Sequence, residues 1–171
     1  MPALPSWDLI ITLGVLVSVA YGYMIQRERV VVTLLSIYVG FVISQLLAGP
    51  ISQFFAGDAT IGGAFFIRSS ASPFSIHAAL FLGCVVIISL KSGLSGNRES
   101  GQLSTLEIVA YAALNAALIA SVLISYLDPA SQATLLASSK NAAFIFTHQA
   151  WWFIVPIVVM IITGHQSRRD Y

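Results

Sequence analysis

Few residues in this chain could do chemistry, and those few are spread along it. Three histidines, seven acids and one cysteine occur among 171 residues. His77, in Ser75-Ile76-His77, could carry protons or bind a metal, yet no second ligand follows at a spacing of three or four residues, as one helix face would need. His148 stands near Trp151 and Trp152, the company of an interfacial aromatic belt. Two histidines on distant segments do not make a metal site. Asp8 follows Trp7 at the start of an apolar stretch, where a carboxylate stays wet and favours a helix N-terminus; Glu107 has an equivalent position. Asn115, Ser121, Ser125 and Gln45 lie inside apolar stretches and can hydrogen-bond to neighbouring helices. Cys84 sits among Leu, Val and Ile and reads as a small hydrophobe. No nucleophile with a positioned base, phosphate-cradling glycine loop or pair of mid-segment acids is visible. The expectation is a non-enzymatic protein with no cofactor and no metal.

The elements that must position these residues are five apolar stretches, at about 7–24, 30–47, 74–90, 106–127 and 141–163. A helix needs roughly 20 apolar residues to cross the hydrocarbon layer, with about 17 as the lower limit, and each stretch reaches that range. Composition agrees: 57% of residues are hydrophobic and 9% charged. The fold class expected is therefore an all-α integral membrane protein, an antiparallel bundle of four to five transmembrane helices in one membrane domain over 1–171. A formal net charge of +1 gives no general attraction to nucleic acid, so the first partner is the lipid bilayer. The first stretch carries Ser18-Val19-Ala20, like a signal-peptidase site, but Met1 to Trp7 lacks Lys and Arg and another span follows at once. It is read as a retained helix.

The connections differ. Residues 25–29, Ile-Gln-Arg-Glu-Arg, are short enough to force a hairpin. The segment 48–73 mixes Pro50, Gly57, Gly62 and Gly63 with four phenylalanines and reads as an outer interfacial loop. The segment 91–105 reads as a cytoplasmic loop, closed by a helix start at Ser104 with Glu107 at the capping-box position. Orientation follows from the cations. With the amino terminus outside, Arg27, Arg29, Lys91, Arg98, Arg168 and Arg169 lie in the cytoplasm and only Arg68 and Lys140 outside, which places the carboxyl terminus in the cytoplasm if five helices span. Pro156 and the polar Thr147, His148 and Gln149 leave the last stretch to span or to lie at the interface.

Small residues recur every four positions on four of the stretches: Gly14, Ser18 and Gly22; Gly40, Ser44 and Ala48; Ser75, Ala79 and Gly83; Ala112, Ala116 and Ala120. Such rows let backbones approach closely where lipid supplies no hydrophobic drive for helix association. They are expected to pack the first four helices together, or to meet a second copy or another membrane protein.

Two segments resemble the colicin V production protein family. Trp7-Asp8-Leu9-Ile10-Ile11, Tyr21-Gly22-Tyr23 and Arg27-Glu28 are similar to that family's opening hairpin. Lys91-Ser92-Gly93-Leu94-Ser95-Gly96-Asn97-Arg98, ending near Gly101, is similar to its Gly-Leu-Ser-Gly loop followed by Asp-Arg and Gly. Asn97 stands where the family has Asp, and Asn115-Ala116 where it tends to have Arg-Gly. The resemblance implies a small bacterial inner-membrane protein, a component of peptide-toxin production or export, or of envelope homeostasis. It puts Asp8, Arg27, Glu28, Gly93, Ser95, Gly96, Asn97 and Arg98 among the candidate functional residues, beside Gln45, His77 and Asn115 from the polar inventory. The loop also has a plain physical reading: Gly93 and Gly96 permit positive φ, and Lys91 and Arg98 each gain roughly 1 kcal/mol near anionic headgroups. Two other functions stand beside this one. A small channel or transporter would run its path near His77, Asn115 and Gln45; an intramembrane enzyme would need a nucleophile and base that the sequence does not display.

Overall fold

The computed structural model describes residues 6–24, 27–56, 72–91 and 105–166. These form helices throughout: α1 (Trp7–Met24), α2 (Arg27–Ala56), α3 (Pro73–Lys91), α4 (Thr105–Ser125), α5 (Pro129–Ser138), α6 (Lys140–Thr147) and α7 (Gln149–Gln166). This is an all-α membrane bundle. The apolar windows Val30–Gln53, Pro73–Lys91 and Glu107–Ser125 are each long enough to cross a bilayer. The apolar part of α1, Trp7–Gly22, is shorter, and at 1.5 Å per residue it falls below the roughly 30 Å of hydrocarbon.

Three differences from the sequence reading have physical causes. The loop expected from residue 48 starts later, because α2 continues through Pro50 to Ala56. Proline removes the same backbone bond in lipid as in water, but a membrane helix tolerates it where packing holds the helix, and Ala48, two residues before it, is buried at 1% exposure. The connection between the fourth and fifth stretches contains α5. Asp128 caps it, accepting from the Ser131 N–H at 3.0 Å, with Pro129 in the first turn. The last apolar stretch is two helices bent by 63° rather than one. The break falls at His148 and not at Pro156, whose ring is fully buried inside α7.

The core runs along α4. Ile37 of α2, Phe81 and Val85 of α3, and Leu118 and Val122 of α4 form its centre. Val30 and Leu34 meet Ile108 and Tyr111 toward one end. Ile124, Leu135, Ala142 and Ile145 join α4 to α5 and α6 at the other. The most extensive pairings are α2 with α3 and α1 with α4. Leu46 and Leu90, exposed at 69% and 68%, stand on the outside of the bundle and face lipid. Since lipid tails are as apolar as leucine, burial alone drives little helix association, and close fit with interhelical hydrogen bonds must hold the bundle.

The close fits are few. A Cβ placed on Gly22 would lie 2.6 Å from the Ala112 Cβ, so α1 and α4 touch backbone to backbone there. Ser18, one turn earlier, donates to the Ala112 carbonyl at 3.4 Å. On Gly40 a Cβ would lie 3.0 Å from a Val85 methyl and 3.2 Å from the Phe81 carbonyl oxygen, which marks the α2–α3 contact. Ala112 and Ala116 are buried on α4, and Ala120 packs beside the α4–α5–α6 cluster. Ser44 and Ala48 are buried on α2 as well, and the remaining members of the expected rows do not pack within the bundle. Gly14 and Gly83 have open space where a Cβ would stand, and Ser75 and Ala79 are exposed. On α3 the contact is made by a Val85 methyl, the Phe81 backbone carbonyl and the Cys84 Cβ, which approach the space that Gly40 leaves.

Candidate functional site

At one end of the bundle, α1 is tied to the α5–α6 corner. Ser139 lies between the two short helices, ending α5 through its N–H and capping α6, whose Ala142 N–H it accepts at 3.0 Å. The same hydroxyl donates to Asp8 Oδ1 at 2.6 Å, and the Asn141 N–H donates to that oxygen at 3.0 Å. The Asn141 side chain then donates to Thr12 Oγ1 at 3.0 Å, and the Thr12 hydroxyl donates to the Asp8 carbonyl at 2.7 Å. Asp8 is thus a clamp between distant elements, beyond the helix-end role expected of it. The sequence reading missed Thr12, Ser139 and Asn141.

Beside this clamp a groove of about 320 Å³ opens between α1, α4 and α6. Ile11 and Val15 of α1, Ala113 and Ala117 of α4, and Ile145 and Trp152 give it apolar walls, while Thr12 and Asn141 stand at its polar end. Trp152 also repairs the helix break, its indole N–H donating to the Ile145 carbonyl at 2.9 Å. A carbonyl released by a broken helix must find such a donor inside a bilayer. Tyr38 ties α2 to α7, donating to the Phe153 carbonyl at 2.7 Å, three residues before Pro156.

A second polar contact joins α2, α3 and the end of α4. Ser44 and Tyr126 share a hydrogen bond at 2.5 Å, and the Tyr126 ring lies 5.0 Å from the His77 ring and 6.1 Å from Phe81. His77 Nδ1 is 2.9 Å from the Pro73 carbonyl, so this nitrogen carries the proton if the contact is a hydrogen bond. Tyr126 was not foreseen, although a tyrosine closing an apolar stretch is a signal for an interfacial hydrogen bond.

Asn115, 4% exposed, donates to the Val30 carbonyl at 3.1 Å and joins α4 to α2. Its Oδ1 and the Ser121 hydroxyl are buried without a partner among the described residues. Ser125 bonds within its own helix, to the Val122 carbonyl, and Gln45 lies on the exposed face of α2 rather than bridging to a neighbour. The residues expected along a channel path are not brought together. His77 packs on Tyr126, eleven residues and therefore about 16 Å along α4 from Asn115, and Gln45 faces outward. His148 caps α6 and stacks on Phe144 at 4.5 Å. Among the described residues no three of His, Cys, Asp and Glu gather as metal ligands would.

Arg27 and Glu28 begin α2, and the structure describes their backbone alone. Gly93, Ser95, Gly96, Asn97 and Arg98, with the capping residue Ser104, lie outside the described residues. Outside the spans, Asp128 is held below the usual carboxylate range, first by the Ser131 backbone N–H and then by the Ser131 hydroxyl.

What the arrangement defines is a multi-pass helical membrane protein whose polar side chains join helices. Comparison of the chain with protein-family models, with curated proteins and with solved structures finds no match.

Proposed function

We propose that this chain is a non-enzymatic, multi-pass component of the bacterial inner membrane, acting in peptide-toxin production or export or in envelope homeostasis. That role is the one implied by the resemblance of its first hairpin and its 91–101 segment to the colicin V production family. The observation that supports it is how the polar groups are used. Asp8, Ser44, Asn115 and Tyr126 each join one helix to another, as a fixed shape meant for neighbours in the bilayer requires. The exposed leucines and isoleucines outside the bundle offer surface for a second copy or a membrane-protein partner. The cation count puts the amino terminus outside and, with five crossings, the carboxyl terminus in the cytoplasm.

Deletion in a toxin-secreting strain tests this reading. Export of the peptide is expected to fall and to return with the wild-type chain. Undiminished secretion together with an intact envelope refutes it.

A channel or transporter is the second reading, favoured by the 63° bend between α6 and α7 and by the unpartnered Asn115 Oδ1 and Ser121 hydroxyl. Purified protein that carries ions across liposomes, and loses this on Asn115→Leu, would establish it in place of the first.

A further inference from the structure

The groove beside α1 combines three properties. Its walls are apolar and its volume, about 320 Å³, is at the small end of ligand sites, enough for part of a chain and not for a whole lipid. It opens at the side of the bundle, where Phe144, 55% exposed, forms part of its edge, so the medium beside it is lipid. Both signs of charge stand next to its polar end without lining it: Asp8, which accepts from the backbone N–H of the groove residue Asn141, and the exposed Lys140, the residue before Asn141 in the chain. The Ser139 and Asn141 bonds both fall on Asp8 Oδ1 and the Lys140 backbone N–H also acts on this carboxylate, whose roughly four lone-pair sites still leave it able to accept a further donor.

We propose that this groove holds part of one acyl chain of an amine-bearing bilayer phospholipid, with the headgroup ammonium at Asp8 and the phosphate at Lys140. The headgroup supplies a cation and an anion a few bonds apart, matching the two charges at the mouth of the groove. A primary ammonium donates hydrogen bonds to the carboxylate, and charge-assisted bonds are the stronger kind. A quaternary ammonium has no N–H to give, and a glycerol headgroup has no cation. The site therefore selects phosphatidylethanolamine over phosphatidylcholine and phosphatidylglycerol. It rests on the membrane fold alone and is independent of the toxin-export reading.

Trp152, in the groove wall, is the reporter. The full chain carrying Trp7→Phe and Trp151→Phe, both at exposed positions, keeps Trp152 as its one tryptophan. It is reconstituted in phosphatidylcholine vesicles holding a minor fraction of brominated-acyl phosphatidylethanolamine, phosphatidylcholine or phosphatidylglycerol. Quenching by the ethanolamine lipid should exceed the others about twofold, the size an interfacial ion pair gives. Ala113→Phe, which fills the groove, should remove the excess. Asp8→Asn should remove it too while keeping an acceptor for Ser139 and Asn141, with helicity followed by circular dichroism. Equal quenching by the three lipids, or an excess that survives Asp8→Asn, overturns the proposal. An excess that fades as the protein-to-lipid ratio rises also overturns it, giving the groove to a second copy of the chain.

Discussion

Gly22→Ala is the most direct test of how α1 is held. The new methyl would stand 2.6 Å from the Ala112 Cβ, and that carbon cannot swing aside because it is fixed to the α4 backbone. Restoring an ordinary contact of about 3.5 Å requires the two helices to part by about 1 Å at this point. Overpacking of this kind costs about 1–3 kcal/mol, and replacing a helical glycine by alanine returns up to about 1 kcal/mol, so the net loss is about 1 kcal/mol. The swap supplies the decisive comparison. In Gly22→Ala with Ala112→Gly, the closest remaining atom of residue 112 is its Cα at 3.8 Å, an ordinary contact, so stability should return nearly to the wild-type value. Gly14→Ala, with nothing within 4 Å of its Cβ, is the control and should cost nothing. Unfolding of the reconstituted chain by detergent titration, followed by tryptophan emission, measures all four proteins. The close-contact argument fails if Gly22→Ala matches wild type, or if the swap is no more stable than the single substitution, which would mean a coupling below about 0.5 kcal/mol.

Asn115→Leu should stay within about 1 kcal/mol of wild type in the same titration, because it removes one interhelical bond and one unpartnered carbonyl together. Trp152→Phe keeps an aromatic ring, smaller than the indole, and loses the donor to the Ile145 carbonyl, so it should cost about 1–3 kcal/mol and raise amide exchange around His148. Tyr126→Phe should cost less, about 0.6 kcal/mol, since Ser44 retains its bond to the Phe41 carbonyl and the ring keeps its place beside His77. Asp128 titrates in the opposite sense to a basic group. With its folded pKa below the ordinary 3.8, its contribution to α5 is complete above that value and lost as pH falls through the lower folded pKa. The protection factor of the Ser131 amide, the intrinsic exchange rate divided by the observed rate at the same pH, should therefore fall on acidification in the wild type and hardly change with pH in Asp128→Asn, which still caps.

The spanning helices were legible because bilayer thickness and the cost of unbonded backbone leave few alternatives to a long apolar helix. Where a boundary depended on packing, the sequence misled. Pro50 looks like a stop in aqueous terms, but the buried Ala48 carries α2 past it. Pro156 draws attention from His148, where the last stretch breaks. Asp128-Pro129 was a readable cap and first turn for α5, hidden by the shortness of that helix. Of the small-residue rows, the one on α3 failed for a general reason. A close helix contact needs a gap on one side only, and Gly40 supplies it for the Val85 methyl and the α3 backbone at Phe81. Asp8 was legible as an acid at a helix end, but its partner Ser139 is 131 residues away, and no local pattern links the two. The groove was invisible for the same reason, being built from side chains of four helices.

One indole serves two neighbours. Because the Trp152 N–H closes the frayed end of α6 while its ring lines the cleft, the aromatic plane cannot rotate to widen that cleft without stripping a carbonyl bare in oil. The depth available to any guest is therefore set by the kink itself, and straightening the kink would reshape the cleft in the same movement.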